Sequence, residues 1–268
     1  MTLLTKRMVE KPWGRQVLPA PFVAPEGKRI GEVWFEPPPE LPSILVKYIF
    51  TSEKLSVQVH PSDMQAAELG EHDRGKEECW LVIAAEPGAT LGIGFKQPIY
   101  AEAMRRAALD GTIEGLMVWH PVMPGDFFYI PAGTVHAIGA GVSLIEIQQN
   151  SDITYRLYDY GRPRELHLDK GIAVARGEPY NPALCRHLED VGTVELDAGP
   201  FFQAHRVDGV PDDLLLADYP GPCLIIPRRG SVWLDNQELL PGDCGIVATL
   251  DAARFDVAGS AILVGNCV

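Results

Sequence analysis

The stretch L-S-V-Q-V-H-P at residues 55–61 alternates apolar and polar side chains. Successive side chains of a β-strand point to opposite faces, so Val57 and Val59 share one face while Gln58 and His60 share the other. A buried amide or imidazole without a hydrogen-bond partner costs about 1–3 kcal/mol. The stretch therefore predicts a β-strand whose polar face meets further polar groups inside the protein.

Much of the remaining chain is also rich in β-branched and aromatic residues, which favour strands. Short apolar runs bounded by turn residues predict strands at 43–50, 55–59, 79–84, 127–131 and 142–148. Many short strands at close spacing are typical of a sandwich or barrel. Helices are fewer, and we expect one to begin at Ser62, where Ser62 and Gln65 have the spacing of a capping box, and others over 101–117 and 164–175.

A second strand-rich run, over about 193–268, echoes the first. The turn P-G-D is followed by a short apolar strand both at 124–132 and at 241–249. Such self-similarity predicts two copies of one β-unit. The residue eleven positions after the turn glycine is His136 in the first copy and Ala253 in the second. We therefore expect the second copy to keep the scaffold without the chemistry.

Composition excludes several classes of function. The 268 residues carry a formal net charge of -13 and no run of lysines and arginines, which argues against binding to nucleic acid. No stretch approaches the roughly 18–20 apolar residues of a membrane-spanning helix, and the first residues lack the apolar segment of an export signal. Five scattered cysteines suit a reducing compartment. We expect a cytoplasmic protein, and a monomer because no long amphipathic helix stands out.

Two further polar residues are candidates to meet Gln58 and His60. Glu78 precedes the strand predicted at 79–84, and His136 ends the stretch I-P-A-G-T-V-H. Two imidazoles, a carboxylate and an amide oxygen form a ligand set that suits zinc. A single histidine is more often a core or surface residue than a ligand, so the hypothesis depends on all four side chains converging.

The spacing G-x5-P-x-G-x2-H from Gly125 to His136 resembles the second conserved motif of the cupin superfamily of β-barrels. The Asn that ends that motif is replaced by Ala140. Upstream, Gln58 stands where cupins usually have the first His of H-x-H, and Glu78 follows later than usual. These departures indicate a narrower resemblance within the superfamily.

The chain is similar to the type I phosphomannose isomerases, or mannose-6-phosphate isomerases, of the short bacterial kind. The similarity covers about the first 170 residues, in the segments K-P-W-G (11–14), I-G-E-V-W-F (30–35), L-V-K-Y-I-F (45–50), L-S-V-Q-V-H-P-S-D (55–63), G-K-E-E-C-W (75–80), I-P-A-G-T-V-H-A-I-G-A-G (130–141), 146–162 and R-E-L-H-L (164–168).

The resemblance implies a mainly β bicupin: two jelly-roll β-barrels with a few short helices inserted in and after the first. In this chain it implies a catalytic cupin domain over 1–160 with a helical insertion at about 98–118. A helical connection over 161–192 and a degenerate cupin-like domain over 193–268 would follow.

The resemblance also implies an activity and a cofactor. The expected reaction interconverts mannose 6-phosphate and fructose 6-phosphate through an enediol, and the expected partner is the small sugar phosphate. One Zn²⁺ per chain is expected on Gln58, His60, Glu78 and His136. A zinc ion with a single carboxylate ligand keeps a net positive charge, so it can polarise the sugar oxygens as a Lewis acid.

Three further residues are candidates for catalysis. Glu146 or Lys76 is the expected proton-transfer base, and the sequence does not choose between them. Arg156 suits phosphate or enediolate oxygens because its guanidinium is planar. The plain alternatives are a solvent-facing carboxylate for Glu146 and an ion pair with Asp152 or Asp159 for Arg156.

Two other classes of function compete with the isomerase. An iron-dependent cupin oxygenase is disfavoured because Gln58 removes one imidazole from the expected His-rich ligand set. A sugar-binding bicupin without turnover would be favoured if Gln58, Glu78 or Arg156 were absent. All three are present, which disfavours this alternative.

Overall fold

The computed structural model describes residues 2–71, 74–189 and 191–267. Its strands are β1 (Thr2–Leu3), β2 (Lys6–Arg15), β3 (Ile30–Phe35), β4 (Ile44–Phe50), β5 (Val57–Val59), β6 (Glu78–Ala85), β7 (Thr90–Phe95), β8 (Met117–Pro121), β9 (Asp126–Ile130), β10 (His136–Ile138), β11 (Val142–Gln149), β12 (Tyr155–Tyr158), β13 (Cys185–His187), β14 (Val194–Ala198), β15 (Gln203–Asp208), β16 (Cys223–Arg229), β17 (Val232–Leu234), β18 (Gln237–Leu239), β19 (Gly245–Val247), β20 (Ala253–Phe255) and β21 (Ser260–Gly265).

Its α-helices are α1 (Asp63–Glu68), α2 (Ala101–Asp110), α3 (Ile113–Leu116), α4 (Leu168–Val174) and α5 (Asp213–Asp218). The mainly β character that the sequence predicts is confirmed. Among the described residues, none of the helices has the length and apolar character that crossing a membrane requires.

The strands of the described residues form four sheets. The long sheet has the order β13-β9-β6-β11-β4-β3-β2, and the short sheet has the order β12-β5-β10-β7-β8. The C-terminal sheet has the order β1-β19-β16-β21-β15-β14, and the small sheet has the order β18-β17-β20. Neighbouring strands in these sheets are antiparallel.

The strand order occurs twice. In the long sheet β9-β6-β11-β4-β3 follows the same path as β19-β16-β21-β15-β14 in the C-terminal sheet, and β10-β7-β8 matches β20-β17-β18. We call β3–β11 the first copy and β14–β21 the second copy. Only the first copy contains a strand in the place of β5, which carries Gln58.

The two P-G-D turns have the same geometry, in agreement with the sequence echo. Gly125 and Gly242 have φ of +97° and +92°, a backbone region that favours glycine. The aspartate after each glycine accepts a hydrogen bond from the backbone amide three residues earlier, at 2.8 Å for Asp126 and 2.9 Å for Asp243. The turns therefore place β9 and β19 equivalently.

The copies also exchange edge strands. The N-terminal strand β1 pairs with β19 at the edge of the C-terminal sheet. In return β13, which follows the first copy in the chain, pairs with β9 at the edge of the long sheet. Each large sheet thus gains an edge strand from outside its own copy.

The central strands β4 and β11 of the long sheet are buried on both faces. Even-numbered side chains of β4 (Ile44–Phe50) pack in one apolar cluster with Ile226 and Ile262 of the C-terminal sheet. On the opposite face Ile49 packs with Ile93 of the short sheet. We call the face that carries Ile49 the inner face. Its side chains are apolar at one end and polar at the other, where the buried Lys47 is the first polar side chain. The polar end is where the candidate site lies.

The helices cover the outer face of the short sheet, where Met104 and Ile113 pack with Val57 and Val59. The helix predicted over 101–117 is in fact two helices, because the chain turns at Gly111 with φ of +81°.

The other helices begin where local chemistry or tertiary contacts place them. The capping box of Ser62 and Gln65 is confirmed at the start of α1. The helix predicted over 164–175 begins only at Leu168, after His167, whose backbone amide donates to the carbonyl oxygen of Arg156 on β12 at 2.8 Å.

Two glycines let β2 and β3 approach closely. A Cβ atom on Gly14 would lie 2.5 Å from the backbone nitrogen of Gly31, and one on Gly31 would lie 2.6 Å from Cζ3 of Trp13. The segments K-P-W-G and I-G-E-V-W-F therefore need glycine for steric reasons. Their contact positions the Trp13 ring in the interior.

We expect Gly31→Ala to lower the free energy of unfolding by about 1–3 kcal/mol, because the added methyl group overpacks against Trp13. Gly115→Ala is the matched control, since a Cβ there meets nothing within 4 Å. In helix α3 the control should be neutral or stabilising by about 0.5–1 kcal/mol. Urea unfolding measures both, and equal free energies for the two variants would contradict the steric account.

Candidate metal centre

The candidate residues come together because three strands meet at the polar end of the interior. In the short sheet, Gln58 on β5 lies opposite His136 on β10 and opposite Arg156 on β12. His60 follows directly after β5, and Glu78 begins β6 of the long sheet, which faces the short sheet. Side chains from both sheets thus point into one space.

Three of the four predicted ligands form a compact group. His136 Nε2 lies 3.5 Å from Glu78 Oε1, and His60 Nε2 lies 3.7 Å from Glu78 Oε2. Ligand atoms of these residues are within 4.8 Å of one another, and each residue is at most 2% exposed. Gln58 adjoins the group, with its amide nitrogen 3.3 Å from His136 Nε2. A half-turn of the amide would present its oxygen there instead.

The hydrogen bonds of the histidines suit a metal ligand. His60 Nδ1 donates to the carbonyl oxygen of Ile153 at 2.7 Å, and His136 Nδ1 donates to that of Thr134 at 2.9 Å. Because carbonyl oxygens only accept, each Nε2 atom carries the lone pair of its ring, which faces Lys76 Nζ at 3.1 Å in His60 and the Gln58 amide nitrogen at 3.3 Å in His136. Backbone carbonyls commonly orient metal-binding histidines in this way.

The carboxylate also fits a cation. Glu78 Oε1 is buried and makes no hydrogen bond with the described residues. A buried acceptor without a donor is costly, and a cation between Glu78 and the imidazoles would satisfy it. Nitrogen and oxygen ligands of this kind suit divalent transition metals.

Burial sets the charges of the ligand group. Desolvation lowers the pKa of His136 to about 4 and the pKa of His60 well below its ordinary value, so both imidazoles are neutral at pH 7. Burial and then the nearby Glu146 raise the pKa of Glu78 to about 7, although Lys76 opposes the shift. Neutral imidazoles are the form that binds metals.

A second group of charges surrounds the ligand group. Lys76 Nζ lies 3.1 Å from His60 Nε2 and also donates to Glu78. Glu146 accepts from Lys47 Nζ at 3.2 Å and from the indole nitrogen of Trp80 at 3.0 Å. The two lysines and two glutamates are buried, so they compensate one another's charge inside the protein.

The same contacts fix the protonation of the two candidate bases. Burial disfavours the carboxylate of Glu146, yet Lys76 and Lys47 outweigh burial and lower its pKa to about 2. Burial likewise disfavours the ammonium of Lys76, yet Glu146 and Glu78 raise its pKa. At neutral pH Glu146 is therefore ionised and Lys76 is protonated.

A cavity of about 320 Å³ opens beside these groups. Its walls are mostly polar and comprise Lys11, Trp13, Glu32, Lys47, Ile49, Leu55, Ser56, Gln58, Lys76, Ile138, Glu146, Asp152, Thr154, Arg156, Arg164 and His167. This volume falls in the range typical of small-molecule sites. The candidate base, the candidate anion-binding arginine and one predicted ligand therefore share one cavity.

Arg156 is available to a ligand in this cavity. Its Nε is buried without a hydrogen-bond partner, and no ion pair of Arg156 occurs among the described residues. Asp159, one of the alternative partners, is held by Arg162 and Arg164 instead. Burial is the main cause that lowers the pKa of Arg156, and the charge of Arg164 lowers it further.

Several site residues were not singled out from the sequence, among them Lys11 and Glu32. A signal was present for Gln148 and for Lys47, because each is a polar residue at an alternate position of an otherwise apolar strand. Lys47 lies directly opposite Glu146 in the β4–β11 register. Polar residues at alternate positions of neighbouring buried strands thus mark the interior face.

Fold and site together define a mainly β protein with a buried His–Glu–His group beside a polar cavity. No protein-family model matches the chain. By sequence it is similar to the mannose-6-phosphate isomerase of Streptococcus mutans, with 41% identity over 172 residues, covering 61% of this chain and 54% of that protein. A probable mannose-6-phosphate isomerase of Bacillus subtilis is 36% identical over 183 residues, covering 63% of this chain and 58% of the relative.

The chain thus spans little more than half the length of these curated relatives. Similarity of structure extends further. The crystal structure of the mannose 6-phosphate isomerase from Bacillus subtilis aligns with a TM-score of 0.81 and 25% identity over 98% of both chains. A putative mannosephosphate isomerase from Archaeoglobus fulgidus shares the fold, with a TM-score of 0.75 and 19% identity over 99% of this chain and 98% of the other. The resemblance that the sequence segments indicate is confirmed.

The geometry predicts that the protein binds about one equivalent of a divalent transition metal and that His136→Ala or Glu78→Gln weakens binding at least about tenfold. His187→Ala is the control, because His187 is exposed and pairs with Asp126 away from the site. Equilibrium dialysis followed by elemental analysis measures the bound metal. Unchanged binding in both ligand variants would exclude the site.

Proposed function

We propose that the protein is a zinc-dependent isomerase that interconverts mannose 6-phosphate and fructose 6-phosphate through an enediol. The observation that carries the proposal is the convergence of His60, Glu78 and His136 beside a cavity that holds an unpaired arginine. Similarity to proteins named mannose-6-phosphate isomerase supplies the substrate.

Gln58, His60, Glu78 and His136 would hold the zinc ion. Bound there with one carboxylate ligand, zinc would supply Lewis-acid polarisation of the sugar oxygens. The neutral amide of Gln58 preserves this effect, because a second carboxylate in its place would cancel the remaining positive charge.

The protonation states assign different roles to the two buried candidates. Glu146 is ionised and lines the cavity, so it is the group that can accept a proton from one sugar carbon and return it to the neighbouring carbon. Its low pKa makes it a weak base, so the enediolate charge must be stabilised for the transfer to proceed. Lys76, protonated and on the same cavity, supplies positive charge there.

Arg156 is our candidate for binding the phosphate group or the enediolate oxygens. Its guanidinium has an unpaired, buried Nε and no carboxylate partner among the described residues. Planar guanidinium groups bind phosphate through paired, charge-assisted hydrogen bonds. A phosphate would therefore also satisfy an arginine that the protein leaves unpaired.

The division of the chain into two barrels and a connection is part of the same proposal. We infer a bicupin of two jelly-roll barrels, divided at about 1–160, 161–192 and 193–268, with the helical insertion at about 98–118. The repeated strand order and the paired P-G-D turns support it. The monomeric state and the cytoplasmic location stay predictions.

We expect isomerase activity on mannose 6-phosphate, measured by a coupled assay, to be lost on chelation and restored by zinc. His136→Ala should abolish activity because it removes a ligand, whereas His187→Ala should retain it. Full turnover in His136→Ala would contradict the proposal. Bound iron with consumption of dioxygen would favour the oxygenase, and bound zinc without turnover would favour a sugar-binding protein.

A second variant tests the proton-transfer base. Glu146→Gln should lower kcat at least about 100-fold, the usual scale of general acid–base catalysis, while the bound metal is retained. Glu86→Gln is the matched control, since Glu86 is an exposed partner of Arg15. If Glu146→Gln keeps normal kcat, the role of base passes to Lys76.

A further inference from the structure

A second polar cavity lies between the two copies, outside the site described above. It has a volume of about 390 Å³. The C-terminal sheet contributes Arg206, Arg228, Arg229 and Ser260, and the facing wall comprises Leu81, Pro124, Gly125, Leu188 and Glu189. Three guanidinium groups thus line a space at the end of the apolar interface between the copies.

The most deeply placed of these arginines is incompletely paired. Arg206 is 8% exposed, and its Nη2 donates to the carbonyl oxygen of Gly192 at 2.9 Å. Its Nε is buried and makes no hydrogen bond with the described residues. A buried guanidinium that is only partly satisfied carries a desolvation cost that an anion would offset.

Arg228 has a similar environment. It is half-buried, and neither it, Arg206 nor Arg229 forms an ion pair within residues 2–71, 74–189 and 191–267. Burial lowers the pKa of Arg228, and the charge of Arg206 adds to this effect, while Tyr48 and Asp208 oppose it. Among the described residues, Asp208 and the exposed Glu189 are the carboxylates that adjoin these three guanidinium groups.

The internal repeat provides a matched cavity for comparison. The equivalent space beside the other P-G-D turn has a volume of about 230 Å³ and is lined by Tyr48, Ile83, Ala84 and Ser143, among others. By strand register these positions correspond to Arg206, Arg228, Arg229 and Ser260, respectively. At the corresponding positions the first copy has no arginine, although Arg228 itself also borders this smaller space, so a cluster of three guanidinium groups is particular to the junction cavity.

We propose that this junction cavity binds the phosphate group of a small phosphate monoester, held by Arg206, Arg228 and Arg229 with the hydroxyl of Ser260. Planar guanidinium groups and a hydroxyl donor match the several acceptor oxygens of a phosphate dianion. The volume is roughly ten times the 30 Å³ that one water occupies in the liquid, which leaves room for the ester group. A ligand here would contact both copies and strengthen their association.

Calorimetric titration with inorganic phosphate and with glycerol phosphate, at constant ionic strength, tests this proposal on the full chain. We expect saturable binding, with glycerol phosphate binding at least as tightly as inorganic phosphate. Arg228→Gln should weaken both at least about tenfold, because it removes a charge-assisted contact. Arg229→Gln, at an exposed position that does not endanger folding, should weaken them several-fold.

Arg254→Gln is the matched control. It removes the same charge from the second copy, but Arg254 is exposed and stacks on Trp233 outside the cavity. It should leave phosphate affinity unchanged, which separates a specific site from a general effect of net charge.

The proposed active site also offers an anion contact, so each titration is repeated in an Arg156→Gln background. Binding that survives Arg156→Gln and is lost with Arg228→Gln supports the junction site. Binding that depends only on Arg156, or no binding to wild type, overturns it. Because the titration needs no turnover, its outcome is independent of whether the isomerase proposal holds.

Discussion

The site depends on a sheet whose central strands have no face in water. Because the long sheet is covered by the short sheet on one side and by the C-terminal sheet on the other, Lys47, Glu78 and Glu146 are shielded from bulk water. Their charges must be compensated by one another or by Lys76. The neutral imidazoles and the unsatisfied oxygen of Glu78 follow from this burial, whereas Glu146 is ionised because Lys76 and Lys47 outweigh burial.

Local patterns predicted those features that depend on neighbouring residues. The alternation in S-V-Q-V-H-P placed Gln58 and His60 on one face, and the capping box placed the start of α1. Features that depend on distant contacts did not follow from the sequence. The residue before α4, His167, is held by Arg156 of β12, and the junction cavity depends on how two sheets pack. The sequence predicts the convergence of the candidate ligands only as a hypothesis, because convergence depends on the order of the strands in the sheets.

Comparison of the copies shows how one scaffold supports two kinds of interior. By register Glu78 corresponds to Cys223 and Glu146 to Leu263, while the spacing from the turn matches His136 with Ala253. Cys223 and Leu263 belong to an apolar core that fills the second copy. Polar ligands in the first interior need hydrogen-bond partners and compensating charges, whereas the second interior is mainly apolar and pairs its buried His205 with the hydroxyl of Tyr219.

The exchange of edge strands makes the two copies interdependent during folding. A fragment that ends before β13 would leave the edge of β9 unpaired, and a fragment without β1 would do the same to β19. Either fragment would also expose the apolar face that joins the large sheets, and unpaired edges beside apolar surface favour aggregation. We therefore expect the two copies to unfold together as one cooperative unit rather than as separable modules.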